Sequence, residues 1–262
     1  MDTCTTFSLK GVTTTKVKKT ITNMPSNKSP EHDKVNMRII KTCLLYILPV
    51  VTGLINSSLL EGCFPKVWKL AEVVPHLKEG DHEVASNDRP ISLSPVVSKV
   101  SEVIAHEQFV HYLTTKNNKL SIHQSGNKRL HSPETLGVLF TSQLYKAIDE
   151  LKVTAALLLD LSKAFDSIQH EVLLKKFHNL GGADDALKWF ASYLTGRKQC
   201  TRVNNSLSNP LTVKHGVPQG SILGPLLFKL YINDLPTACA HCKVKSYVDD
   251  SKLYASFSNK GT

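Results

Sequence analysis

The stretch AALLLDLSKAFD, Ala155 to Asp166, constrains this chain more than any other. Ala155 to Leu159 is unbroken small and aliphatic sequence closed by Asp160, the pattern of a strand buried on both faces that ends on a carboxylate. An unpaired carboxylate at a buried strand end costs several kcal/mol, by rough estimate, unless a cation or hydrogen bonds compensate it. The alternative is a strand end reaching solvent, with Asp160 capping the turn that follows. A second acidic cluster, Tyr247-Val248-Asp249-Asp250, stands far downstream, and the two need a common explanation.

Apolar runs flank that second cluster. Val244 to Val248 and Ser251 to Phe257 read as two strands, which puts Asp249 and Asp250 at the tip of a hairpin. Adjacent like charges there are unfavourable, and a divalent cation removes the penalty. Asp160 with Asp249 and Asp250 supplies the hard oxygen ligands that a two-metal site requires. No Walker loop, HExxH motif or pair of CxxC motifs competes with this reading.

Between the acidic segments lies Gly216-Val217-Pro218-Gln219-Gly220-Ser221, followed by an apolar helical run through Leu223, Leu226, Leu227 and Leu230. Its glycines permit a tight loop whose backbone can approach a ligand. Upstream, Ala71 to Leu77 alternates as a strand, and Arg89 to Leu93 resumes an extended pattern because Pro90 pushes Arg89 out of helical geometry. The two form a long hairpin with Lys78 and Arg89 on its arms, able to hold a triphosphate or simply solvated.

Several helices follow from periodicity. Thr13 or Thr14 caps a short basic helix that stops before Pro25, and Pro95 to about Leu113 packs on one side. Ser132 and Pro133 start a further helix whose face of Leu136, Leu139, Phe140, Leu144, Ala147, Ile148 and Leu151 reads as core. Trp189, Phe190 and Tyr193 fall close together on another helix, where packing is favoured over base stacking. Lys28, in the loop Ser26 to Pro30, is either solvated or a phosphate contact.

Thr42 to Leu60 carries no formal charge, but Pro49, Gly53 and Asn56 interrupt it, and its aliphatic residues recur at helical spacing. It therefore reads as an amphipathic helix rather than a membrane span. Six cysteines with no secretory signal before them indicate an intracellular, soluble protein with reduced thiols. Cys239-Ala-His-Cys242 is half of a zinc site or a pair of ordinary thiols near a turn, and the latter is preferred for want of a second ligand pair. The 32 Lys and Arg against 22 Asp and Glu, a formal charge of +10, favour a polyanionic partner.

Taken together, the segments resemble the fingers and palm of reverse transcriptases, most closely those of non-long-terminal-repeat retrotransposons of the LINE and jockey-like kind. The resemblance is carried by SNKSP at 26–30, NDRPISLSPVVSKVSEVI at 87–104, LLLDLSKAFDSIQHEVLL at 157–174, HGVPQGSILGPLLFKLYINDLP at 215–236 and SYVDDSKLYAS at 246–256. It implies an α/β right-hand polymerase fold. Its small antiparallel palm sheet would carry the acids with helices packed behind, residues 1–57 would extend the fingers as helices, and residues 58–262 would form the fingers and palm.

The implied activity is RNA-directed DNA polymerisation with two Mg²⁺ ions, or Mn²⁺ in their place, on an RNA template, a DNA primer and deoxynucleoside triphosphates. By resemblance Asp160, Asp249 and Asp250 are the metal ligands, and Phe165 excludes a ribose 2′-hydroxyl. Gln219 and Gly220 lie against the incoming nucleotide and template, while Lys78 and Arg89 contact the triphosphate. An inactive nucleic-acid-binding remnant of such a polymerase is the alternative.

Departures from the family wording fall at Ser125 to Arg129, where Gly-Phe-Arg is usual, at Glu31 to Lys34 in place of Gly-Pro-Asp-Gly, and at Val248 in place of alanine. The expected thumb and endonuclease are both missing from this stretch, which reads as a retroelement fragment.

Overall fold

The computed structural model describes residues 6–27, 34–81, 83–115, 120–126, 131–204 and 206–258. Cys4, Lys28 to Asp33 and Asn127 to Arg129, on which part of the sequence reading fell, lie outside the described residues. Among those described, eight α-helices and two sheets make a mixed α/β fold.

The N-terminal helices are α1 (Thr14–Asn23), α2 (Met37–Thr42) and α3 (Leu44–Glu61). Thr13 begins α1 as expected, its hydroxyl accepting the Lys16 N–H at 3.2 Å. Gly62, at φ 67°, ends α3 in the left-handed conformation that glycine adopts most readily. Val51, Ile55, Ser58 and Leu59 of α3 face the core, and Trp189 Nε1 donates to Ser58 Oγ at 3.0 Å. The helix is long and apolar enough to cross a membrane, but here one of its faces is part of the protein core. The boundary expected at residue 57 falls inside α3, whose Ile55 and Leu59 belong to the same hydrophobic cluster as Phe109, Trp189 and Leu227.

That cluster is built chiefly on α4 (Val96–Thr115), α6 (His170–Asn179), α7 (Asp184–Leu194) and α8 (Gly224–Tyr231). Phe109, Phe177 and Phe190 bring their rings within 4.5–5.6 Å of one another. Trp189, Phe190 and Tyr193 are buried, so these aromatics pack rather than present faces to bases. Truncating a ring so enclosed costs about 3–5 kcal/mol.

The first sheet holds β1 (Leu70–Leu77), β2 (Asp88–Leu93), β4 (Lys198–Val203), β5 (Ser206–Leu207) and β6 (Leu211–Thr212), ordered β2-β1-β4-β5 with β6 also on β4. The β1–β2 hairpin matches the sequence reading. The parallel pairing of β1 with β4 was not foreseen. It is held by the register of Leu70 to Val73 on Lys198 to Thr201 and by Arg202, which grips the buried Glu72 with both nitrogens of its fork.

The second sheet is antiparallel, in the order β3 (Lys152–Asp160), β8 (Asp250–Ser258), β7 (Lys243–Tyr247). Here one expectation fails: β3 is not buried on both faces. Leu157 is 56% and Leu158 68% exposed, and adjacent strand residues point to opposite faces, so this edge strand is open on both; α5 (Pro133–Asp149) meets the sheet through Phe140 against Tyr254 and Lys252 of β8. The apolar face of α5 is likewise mostly uncovered. Leu136 and Ala147 are buried, but Leu139, Ile148 and Leu151 are exposed. Ser132 and Pro133 do start α5, through a capping box with Thr135. The reduced thiols expected at Cys239 and Cys242 are instead joined as a disulfide, which excludes them as zinc ligands.

Candidate functional site

The register of β3 on β8 sets Asp160 directly opposite Asp250. Tyr247 pairs with Asp250 on the other side, so Val248 and Asp249 alone form the turn between β7 and β8. Asp160 and Asp250 are exposed and Asp249 is half-buried. Among the described residues no salt bridge or side-chain hydrogen bond engages any of the three.

Like charges directly opposite across a strand pair destabilise it. The reason to invoke a cation is therefore this cross-strand repulsion, and not the desolvation that a buried strand end would have imposed. Exposed carboxylates without partners are hard donors of the kind Mg²⁺ takes. The fit is incomplete: no three His, Cys, Asp or Glu side chains among the described residues stand close enough to hold a metal ion together. Backbone register brings Asp160 and Asp250 together, while Asp249 sits in the adjoining turn.

That turn is strained and supported. Val248 adopts φ 55°, unusual for a β-branched residue and costing about 1–3 kcal/mol. Gly126 lies against it so closely that a Cβ there would come within 2.6 Å of the Val248 amide nitrogen. The Ser125 N–H donates to the Ser246 carbonyl at 2.9 Å, the Ser246 N–H donates to His123 O at 3.0 Å, and Lys229 Nζ donates to Gly126 O at 3.2 Å. The sequence reading noted this segment only for its departure from the family. Its signal was the glycine of Ser125-Gly126-Asn127, a turn composition.

Directly after Asp160 the chain turns through Leu161 to Ser167, and the Gly216–Ser221 loop is bonded to that turn. Gly216 N–H donates to Ile168 O at 2.8 Å and Val217 N–H to Phe165 O at 2.9 Å. Gly216 has φ 82°, and a Cβ there would come within 2.8 Å of the Asp166 backbone. Gln219 donates its amide to both carboxylate oxygens of Asp166, at 3.0 and 2.9 Å. Its carbonyl accepts the Ser92 N–H from β2 at 2.7 Å. Gly220, at φ 92°, completes the approach to β2, where Ser92 O is 3.3 Å from its Cβ position.

The structure therefore gathers Phe165, Asp166, Gln219 and Gly220 beside the turn that leaves Asp160. Phe165 is half-buried and stacks on Phe228 of α8, with ring centroids 4.9 Å apart. Arg89 stands opposite His76 on the β1–β2 hairpin, and Lys78 follows His76 by two positions, which puts both cations on one side. Arg89 is exposed, and Lys78 is 3.8 Å from Glu79. The Ser92 link ties their hairpin to Gln219, but no contact joins either cation to the acids. A cleft of about 390 Å³ opens on Gly220 between α1 and α4, with Lys16, Lys19 and Lys99 among its lining.

Sequence reasoning missed Glu102. It lies on α4, is wholly buried, and accepts the Ile222 N–H at 2.9 Å immediately beyond this loop. Burial pushes its carboxyl above the ordinary range, and Arg197 and the Ile222 and Leu223 amides oppose the shift.

The family described as "Reverse transcriptase (RNA-dependent DNA polymerase)" matches residues 77–260. Among curated proteins, the probable RNA-directed DNA polymerase from transposon BS of Drosophila melanogaster is 31% identical over 259 residues, covering 95% of this chain and 28% of that protein. The probable RNA-directed DNA polymerase from transposon X-element of the same organism is 32% identical over 222 residues, covering 84% of this chain and 24% of that protein. The RNA-directed DNA polymerase from its mobile element jockey is 30% identical over 255 residues, covering 96% and 27%. The chain thus spans about a quarter of the length of the curated relatives it matches.

Proposed function

The chain belongs to the reverse transcriptase (RNA-dependent DNA polymerase) family, and we propose that it adds deoxynucleotides to a primer 3′-end under the direction of an RNA template. The observation that carries this reading is the register of Asp160 on Asp250, two carboxylates brought face to face beside the Gln219 loop.

Asp160 and Asp250 would hold Mg²⁺, or Mn²⁺ in its place, with Asp249 completing the set from the turn. An ion held there would offset the negative charge that develops at the attacking 3′-hydroxyl and the departing pyrophosphate. The protein's own residues position the reactants. Lys78 and Arg89, on one side of the hairpin, bind the triphosphate oxygens. Gln219 and Gly220, held between Asp166 and Ser92, present a fixed backbone surface to the incoming base pair. Phe165, anchored on Phe228, sets a wall against the sugar that a 2′-hydroxyl would strike. The formal charge of +10 favours a nucleic-acid partner. The N-terminal helices extend the fingers, and the β3–β8–β7 sheet is the palm.

A second reading, a nucleic-acid-binding domain without turnover, is favoured by one observation: the three acids do not form a ready-made ligand group. Primer extension on an RNA template with Mg²⁺ separates the two. The polymerase reading expects extension by the parent chain and a loss of at least ~100-fold in Asp160→Asn, about 2.7 kcal/mol of barrier. Binding of primer–template by a folded chain that never extends it would support the second reading.

A further inference from the structure

We propose that Glu102 is the positioning residue of the Gln219–Gly220 loop, holding from α4 the backbone amides on which the placement of that loop depends. The proposal deepens the polymerase reading and rests on it.

A carboxyl with no exposed surface in an aliphatic helix interface is costly and must be compensated by partners. Those of Glu102 gather on one oxygen, and two of the three lie in one segment. Its Oε2 accepts the N–H of Ile222 at 2.9 Å, the N–H of Leu223 at 3.4 Å and the Tyr193 hydroxyl at 3.4 Å. Arg197, itself buried, supplies the opposing charge. Its guanidinium lies 5.0 Å from the Tyr193 ring centre, and its Nη1 donates to Tyr193 O at 3.2 Å.

The amides that Glu102 accepts are the last before α8. The first N–H groups of a helix lack partners within it, and a side chain at the cap position ordinarily takes one. Leu223 occupies that position and provides no side-chain hydrogen bond. Ser221 Oγ takes the Gly224 N–H at 2.9 Å, and Glu102 of α4 takes the two amides between them, those of Ile222 and Leu223.

The loop is therefore pinned at both ends. At one, Gly216 and Val217 are bonded to the turn after Asp160; at the other, Ile222 and Leu223 are bonded to Glu102. Gln219 and Gly220 lie between, and their reach to Asp166 and Ser92 depends on both anchors. A carboxyl that merely capped α8 would affect stability alone. An anchor of this loop also sets nucleotide affinity.

The test uses the full chain on a primer–template whose primer lacks a 3′-hydroxyl, so that Mg²⁺ and the templated deoxynucleoside triphosphate bind without turnover. Nucleotide dissociation constants and amide hydrogen exchange at Ile222 and Leu223 are measured in parallel. Glu102→Met keeps the length and removes the acceptor; Glu102→Gln keeps a carbonyl oxygen. The double variant Glu102→Met/Arg197→Met serves if a lone buried Arg197 unfolds the first.

In the Met variants the nucleotide constant should rise about tenfold or more and both amides should exchange faster, whereas Glu102→Gln should stay within about threefold of the parent. Unchanged nucleotide affinity in a folded Met variant overturns the proposal, as does a Gln variant impaired as far as Met. If the parent binds no deoxynucleotide, the polymerase reading fails, and the exchange comparison still decides whether Glu102 holds the loop.

Discussion

Single residues in this fold act through where the backbone lets them stand. Gly216 and Gly53 make the contrast. A methyl on Gly216 would press on the Asp166 backbone at a φ of 82°, whereas one on Gly53, inside α3, meets nothing within 4 Å. Gly216→Ala should therefore lower stability by at least about 1–3 kcal/mol. Gly53→Ala should raise it by roughly 0.5–1 kcal/mol. Urea unfolding checks both, and equal effects would deny that the loop is held tightly against the turn.

Glu102 carries a pH signature. Its folded pKa is raised above the ordinary 4.5, so between that value and the folded pKa the native chain holds a proton that the unfolded chain has released. Its contribution to stability is greatest at low pH and is lost as pH rises through the folded pKa. Measured against Glu102→Gln, the parent should lose relative stability on going from acid to neutral pH. A relative gain would mean that Arg197 outweighs burial. At this scale the sequence showed the acids and the glycines, whose residue types are unusual for their places. Glu102 stayed hidden because its partners are chiefly backbone amides, which leave no mark in a side-chain pattern.

Elements show where apolar periodicity informs and where it misleads. The run Ala155 to Leu159 and the stripe along α5 correctly announced a strand and a helix. They did not say what covers them: pattern reports the local period, whereas burial depends on neighbours brought from elsewhere. The β1–β4 pairing is hidden for the same reason, since parallel partners are joined only through a long connection. An edge strand with exposed leucines invites association. Leu158→Lys should change unfolding stability by less than about 0.5 kcal/mol. It should also reduce self-association in sedimentation. A loss on the scale of a core substitution, about 2–5 kcal/mol, would contradict the exposed placement of β3.

The whole molecule joins two sheets through one loop. The first sheet presents Lys78 and Arg89, the second carries Asp160, Asp249 and Asp250, and the Gly216–Ser221 segment is bonded to β2 of the first and to the turn leaving β3 of the second. Four of the five segments that carry the family resemblance fall within the matched residues 77–260, and two of them meet at Gln219, which bonds to Asp166 and to Ser92.

Asp160 and Asp250, opposed across β3 and β8, would form the proposed divalent-cation site. Thermal unfolding of the parent and of Asp250→Asn, each with and without Mg²⁺, tests it most directly. Mg²⁺ should stabilise the parent by ~2.7 kcal/mol at a hundredfold excess over the dissociation constant. Asp250→Asn, relieved of the cross-strand repulsion, should be the more stable protein without metal and gain nothing from it. Equal Mg²⁺ stabilisation of both proteins, or none of either, would contradict it.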